Sequence, residues 1–277
     1  MAKESKAPVI EGAQDVKKIT FRSVFYIVAP FLSIILLVVL WFLASASNGS
    51  LVPSPLKVWD RFVELAFTKF SAKVSLFGHI WASLQRVLIA LGISVVTGIT
   101  FGVMVGWSKS FRAIFGTLFE LLRPIPPIAW LSLSVMWFGI GEFPKVFIVF
   151  IGTFTPLVIN SYTGIRLVDP LLLDVGRMFN AKNNQLLMEI AVPSALPAIF
   201  AGFRNATSLG WMVVLAAEMI VAKTGLGFLI YRGMDYFDVP QILVGMITIG
   251  IVGALLAVIT NYLERWICPW NVKLEQE

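Results

Sequence analysis

Apolar runs with few or no charges, each about 20 residues or longer and so able to cross roughly 30 Å of hydrocarbon, recur along the chain between short polar or basic breaks. They cover 24–46, 87–107, 111–141, 146–165, 196–219 and 239–263. None alternates apolar and polar positions with period two, which excludes a barrel, so the backbone must satisfy its own hydrogen bonds as helices. Six spans are therefore expected. The third run holds Glu120 and Arg123 and then Pro124, Pro126 and Pro127, which predicts a break between a tilted first part and a second part over 130–138. Ala44-Ser45-Ala46 ends the first run and has the small-residue look of a cleavage site. At 23 residues, however, that run exceeds the roughly 7 to 15 of a signal h-region and reads as a retained helix.

Between 47 and 77 the pattern changes. Pro53-Ser54-Pro55 precedes Val58, Trp59, Phe62, Val63 and Ala66, apolar at helical spacing with charges between them, which predicts an amphipathic helix lying on the membrane surface. A second polar stretch, 166–195, is too long and too patterned for a connector. Asp169-Pro170 starts a helix well, and Leu171, Leu172, Val175, Met178 and Phe179 give it one apolar stripe. Asn180 stands where the chain has to turn and tolerates the left-handed conformation; a second short helix over 183–191 is expected before Pro193 and Pro197 restart the chain into the membrane.

Composition agrees with a bilayer protein: 58% of residues are hydrophobic, 14% are charged, and the mean hydropathy is +0.85. The net charge of +6 comes largely from residues flanking the apolar runs, without a basic stripe interleaved with aromatics, so it argues for headgroup contacts and against nucleic acid. Six spans put both termini on one side, and Lys and Arg count twelve on that side against seven on the other, which assigns the termini to the cytoplasm. The expected partition is a tail over 1–23, a membrane domain over 24–265 with the loop 166–195 inside it, and a tail over 266–277. A single Cys, Cys268, excludes an internal disulfide framework, and a single His, His79, cannot found a metal site. No Ser/His/Asp set or paired midplane carboxylates are available for chemistry, and no GxxxxGK[ST] stretch could cradle a nucleotide.

Charges inside the spans carry the candidate site, because each costs a few kcal/mol unless it faces the bundle or water. Arg204 and Glu218 are fourteen residues apart, about 21 Å along one helix, and cannot pair with each other. Arg204 either snorkels to the interface or lines a path; Glu218 either accepts hydrogen bonds from a neighbouring helix or faces an outer partner. Glu120 and Arg123 are an i, i+3 pair. Beside them the proline-rich break can turn backbone groups toward a path, since irregular backbone at membrane depth is tolerated only there or within protein. Arg123, Pro126, Pro127, Trp130, Arg204, Trp211 and Glu218 are the candidate path residues, with packing as the alternative for the two tryptophans.

The loop 166–195 also carries a resemblance. Asp174-Val175-Gly176, Asn180, Ala181, Ile190, Val192 and Pro193 match, position by position, a cytoplasmic loop of the permeases of binding-protein-dependent ABC importers. There a Glu-Ala-Ala triplet is followed by three residues, Gly, nine residues, Ile, one residue and Leu-Pro; here Asp replaces Glu, Gly replaces the last Ala and Asn replaces Gly. Pro53-Ser54-Pro55, Arg123 to Trp130, Gly202-Phe203-Arg204 with Trp211, Ala216 to Met219, Gly225-Leu226-Gly227 and Glu264-Arg265-Trp266 to Trp270 are similar to the branch serving nitrate, bicarbonate, taurine and other sulfonates.

The resemblance implies an all-α membrane protein of the type I ABC importer permease architecture, with about six transmembrane helices and a coupling-helix loop, in the bacterial inner membrane. It implies ATPase subunits on separate chains that hold ATP and Mg, a periplasmic solute-binding protein, and a second permease copy in a homodimer or a pseudo-symmetric pair. Asp174, Val175, Gly176, Met178, Phe179, Asn180, Ala181, Ile190 and Pro193 would contact the ATPase, and the solute would be a small anion. An ion-gradient-driven secondary transporter is the alternative; it would favour internally repeated halves, and 20–140 and 140–265 show no repeat.

Overall fold

The computed structural model describes residues 21–46, 52–67 and 74–270. These are helical apart from short connections, in two units, residues 1–55 and 56–277. In the first unit α1 (Phe21–Ser45) presents exposed side chains along its apolar stretch Leu32–Ser45, as a helix surrounded by lipid does, and Trp41 Nε1 donates to the Pro53 carbonyl at 3.0 Å. The expected tails fall mostly outside the described residues.

The second unit opens with the expected amphipathic helix, α2 (Pro55–Phe67), which buries Val58, Leu65 and Ala66 and is tied by Arg61 to Asp238 and Gln241. α3 (Leu76–Trp107) begins eleven residues before the expected second span, capped by the Ser75 hydroxyl. The expected span starts just after Arg86, whereas the structure buries that residue inside α3. α4 (Lys109–Leu122) and α5 (Pro127–Phe138) form the expected broken span, bent by 90°. α6 (Glu142–Arg166), the short α7 (Pro170–Met178), α8 (Asn183–Val221), the short α9 (Leu226–Asp235) and α10 (Val239–Ile267) complete the chain. Among the described residues four helices are long and apolar enough to cross a membrane, and the bent pair makes a fifth.

One expectation is corrected. Residues 183–191 do not form a separate helix that Pro193 ends; they run unbroken into α8 through a π-helical turn at Leu186–Ala191. The wider turn reroutes the carbonyl bonding just where Pro193 and Pro197 lack N–H donors, so the helix continues.

Small residues set the packing. Gly98, Gly102 and Gly106 lie on one face of α3 and meet Leu157, Ser161 and Ile165 of α6, so the two helices run parallel. A methyl group at Gly102 would stand 2.6 Å from the Val158 carbonyl oxygen, so the backbones touch only because no side chain intervenes. α8 runs antiparallel to α6, with Gly202 against Asn160 and Gly210 against Thr153, and antiparallel to α10, with Trp211 against Gly253. The ends of α3, α6 and α10 and the start of α8 therefore share one end of the bundle with α7.

Candidate functional site

α7 is mounted rigidly and faces outward. Asp169 caps it by accepting from Leu171 N at 2.8 Å, and Pro170 occupies its first turn. Leu173 packs on a buried cluster that includes Ile165, Val168, Ala191 and Ala195. Gly176 is buried against Leu186 and Ile190, whose side-chain ends would lie 2.6 Å from a methyl group placed there. Gly176 and Ile190, two positions of the matched pattern, thus meet across the hairpin. Asn180 turns the chain with φ +57°, and Ala181 N donates back to the Gly176 carbonyl at 3.1 Å, a C-terminal cap. Asp174 pairs with Arg177 at 2.6 Å on the solvent side. The apolar stripe points away from the bundle: Met178 is 84% and Phe179 83% exposed, with Leu171, Leu172 and Val175 exposed beside them. Pro193 is half-buried at the entry to the long part of α8.

The bend between α4 and α5 is open. Pro124, Ile125 and Pro126 are exposed, and among the described residues no backbone N–H donates to Pro124 O or Ile125 O. Such backbone cannot face lipid. The expected Glu120–Arg123 pair forms at 3.0 Å, and it edges a cleft of about 430 Å³ running between α4, the end of α3 and α6. Pro127 approaches Gly152 of α6, and Trp130 is half-buried at the start of α5. Arg204 reaches across to α10, where it pairs with Glu264 at 2.9 Å and donates to Asn261 at 3.3 Å.

At the opposite end lies a closed polar network. His79, Ser83 and Arg86 sit on one face of α3 at i, i+4 and i+7, all at most 4% exposed. Arg86 Nη1 donates to Glu218 Oε1 of α8 at 2.5 Å and to the Thr224 carbonyl at 2.8 Å. Its Nε and Nη2 form a fork on Glu142 of α6, at 2.6 and 3.0 Å. Lys145 reaches Glu142 at 2.7 Å, so two cations balance two carboxylates. Glu218 also accepts from Ser83 Oγ at 2.8 Å and Gly227 N at 3.0 Å. Gly225 N donates to His79 Nδ1 at 3.0 Å, which places the neutral ring's proton on Nε2. Gly225 itself has φ +119°, and a methyl group there would fall 2.3 Å from the Glu218 carboxyl carbon. The loop 222–227 is thereby pinned to α3 and α8, and through the Arg86–Glu142 fork the network also takes in α6.

The two environments sort the expected path residues. Arg123, Pro126, Pro127, Trp130 and Arg204 stand at or beside open surface, whereas Glu218 is fully buried and Trp211 is 6% exposed with Nε1 donating to the Ile249 carbonyl at 3.2 Å. Glu218 accepts hydrogen bonds from Ser83 and Arg86 of a neighbouring helix, one of its two expected alternatives; a carboxylate this deep is held by charge pairing. Sequence reasoning missed Glu142 and Lys145 as members of this network and took Lys145 for a loop residue. The available signal was the i, i+4, i+7 spacing of His79, Ser83 and Arg86.

The described residues form a helical membrane bundle with a broken span and a helix hairpin protruding at one end. Residues 98–272 match the family described as binding-protein-dependent transport system inner membrane component, and the chain belongs to that family, the permease subunits of ABC importers. Among curated relatives, the taurine transport system permease protein of Escherichia coli is 32% identical over 87% of this chain and 88% of the relative. The nitrate import permease protein of Synechocystis is 32% identical over 89% of this chain and 91% of its own length, and the bicarbonate transport system permease protein of Synechococcus elongatus 32% over 87% and 89%. A chain of the inward-facing MetNI methionine ABC transporter superposes with a TM-score of 0.63 at 16% identity, covering 73% of this chain and 98% of that one, which establishes the shared fold.

Proposed function

We propose that this permease imports a small anion, such as nitrate, bicarbonate, a sulfonate like taurine or a similar organic acid, delivered by a periplasmic solute-binding protein. The drive is supplied by separate ATPase subunits that hold ATP and Mg and seat on α7. The observation that carries this reading is the mounting of α7: one face fixed through Leu173 and Gly176, the other offering Met178 and Phe179 to solvent. An unanchored helix would swing when pushed; one locked to the start of α8 passes motion into a span. Asp174, Val175, Gly176, Met178, Phe179, Asn180, Ala181, Ile190 and Pro193 form or support that contact.

In this reading α7 and both termini are cytoplasmic, and a second copy of the chain completes the pore as a homodimer. Arg123, Pro126, Pro127, Trp130 and Arg204 border the path, because the open bend has to face water or a second subunit. Trp211 and Glu218 hold the helices behind it. The relatives that carry taurine, nitrate and bicarbonate support an anion.

Tagged protein is extracted from membranes, and whatever remains attached is identified by mass spectrometry and assayed for ATP hydrolysis. The wild type is expected to bring an ATPase with it, and Phe179→Asp, which keeps the hairpin and spoils its apolar face, to lose it. A folded chain that purifies alone without ATPase activity would favour the ion-driven carrier.

A further inference from the structure

The cleft beside the bend has a lining that the path alone does not require. Arg112 is braced there from behind: its Nε donates to the Val105 carbonyl at 2.8 Å and its Nη2 to the Gly106 carbonyl, at the end of α3. Among the described residues Nη1 then has no hydrogen-bond partner. The guanidinium lies over the Tyr162 ring at 5.7 Å, and Arg166 takes the ring's other contact at 5.8 Å while donating to the Tyr162 hydroxyl. Arg123 meets Glu120 through Nη1 only, so the cleft holds two guanidinium groups against one carboxylate.

Threonine hydroxyls give a second, independent indication. Within a helix a threonine ordinarily turns its hydroxyl back to a carbonyl one turn earlier. Thr97, Thr100, Thr153, Thr155, Thr207, Thr248 and Thr260 all do so, and the Thr224 hydroxyl accepts from Arg86. Among the described threonines only the hydroxyls of Thr117 and Thr163 make no hydrogen bond to another described residue, and both residues line this cleft, on α4 and α6 respectively. The π-helical turn at Arg112–Gly116 lies immediately before Thr117 and sets the register that brings Arg112, Thr117 and Arg123 to one wall; such turns concentrate at functional sites.

We infer that this cleft is an oxyanion site at the α7 end of the permease. Arg112 is the fixed charge, Arg123 the movable one, and the hydroxyls of Thr117 and Thr163 are the neutral donors; Glu120 withdraws Arg123 when the site empties. A volume of about 430 Å³ admits a sulfonate, nitrate or bicarbonate with its water, and also a lipid phosphate headgroup. The solute version rests on the proposed import of a small anion and places the solute's last stop before release here.

The test uses the complex purified with its attached ATPase, as wild type, as T117V/T163V, as R123Q, and as T155V, whose hydroxyl serves Ile151 outside the cleft. Taurine, nitrate and bicarbonate are titrated by calorimetry, and retention of phosphatidylglycerol is followed by native mass spectrometry from nanodiscs with and without that lipid. At least one of the three solutes is expected to bind the wild type and T155V alike, and T117V/T163V and R123Q about tenfold or more weakly, the loss expected for hydrogen bonds to a charged group. Retention of phosphatidylglycerol that follows the same variants, with no solute binding, upholds the oxyanion site and assigns it to lipid. If the ATPase stays attached yet neither solute nor lipid distinguishes T117V/T163V from T155V, the site does not exist. A wild-type chain that brings no ATPase overturns the importer reading instead, so the two failures are separable.

Discussion

Replacing Glu218 by Ala removes the acceptor of three hydrogen bonds and one of the two counter-ions of Arg86, which is itself buried. Arg86 keeps Glu142 and Thr224, so its charge is not orphaned, but Gly227 N and the Ser83 hydroxyl lose a buried partner. Breaking a buried pair from one side costs about 3–5 kcal/mol, and the surviving fork on Glu142 puts the expected loss at the lower end, about 3 kcal/mol. Glu218→Gln should cost less: its amide oxygen still accepts from Arg86, while its NH₂ confronts the Gly227 N–H, a donor against a donor, for about 1–2 kcal/mol. The double variant R86M/E218L should be less damaged than the two single losses added together, since an apolar pair leaves no charge stranded. Cys268 provides the assay. It is the single cysteine and fully buried, so the temperature at which it becomes reactive to a maleimide in detergent reports unfolding. A shift of less than about 1 kcal/mol for Glu218→Ala would refute the view that this network holds the loop 222–227 and three helices together.

Three further outcomes follow from the packing and the turns. Gly102→Ala should destabilise by about 1–3 kcal/mol on the same Cys268 assay, because the added methyl meets backbone and not a flexible side-chain end. Asn180→Val should cost about 1–2 kcal/mol in the hairpin and weaken ATPase retention in pull-downs, whereas Asn180→Gly should preserve both, given the φ of +57°. Burial, with the Glu264 carboxylate nearby, pushes the Cys268 thiol up. Its labelling in the folded protein should therefore rise only at pH values above those that activate free cysteine, and a rate matching free cysteine at neutral pH would contradict the burial.

The sequence alone determined the solvent in which this chain folds and the form of the polar hairpin that interrupts its spans. Apolar runs without period-two alternation leave helices as the only option in lipid, and three prolines within four positions, Pro124, Pro126 and Pro127, were bound to break the third span. Asp169-Pro170, the stripe from Leu171 to Phe179 and the turn at Asn180 are local features, governed by capping, helical spacing and tolerance of positive φ. Each was legible because each depends on neighbours a few residues away. Tertiary structure decided what distant residues do to one another. Arg86 and Glu218 are 132 positions apart in the sequence and meet only because α3 and α8 pack closely, so a charge just outside the expected second span became the hub of a buried network. The same packing sealed Glu218 and Trp211 away from the open face. It also gathered Arg112, Thr117 and Thr163 into one cleft, although none of the three stands out in the sequence. Spacing along a helix predicts which side chains share a face; only the packing of helices decides what that face meets.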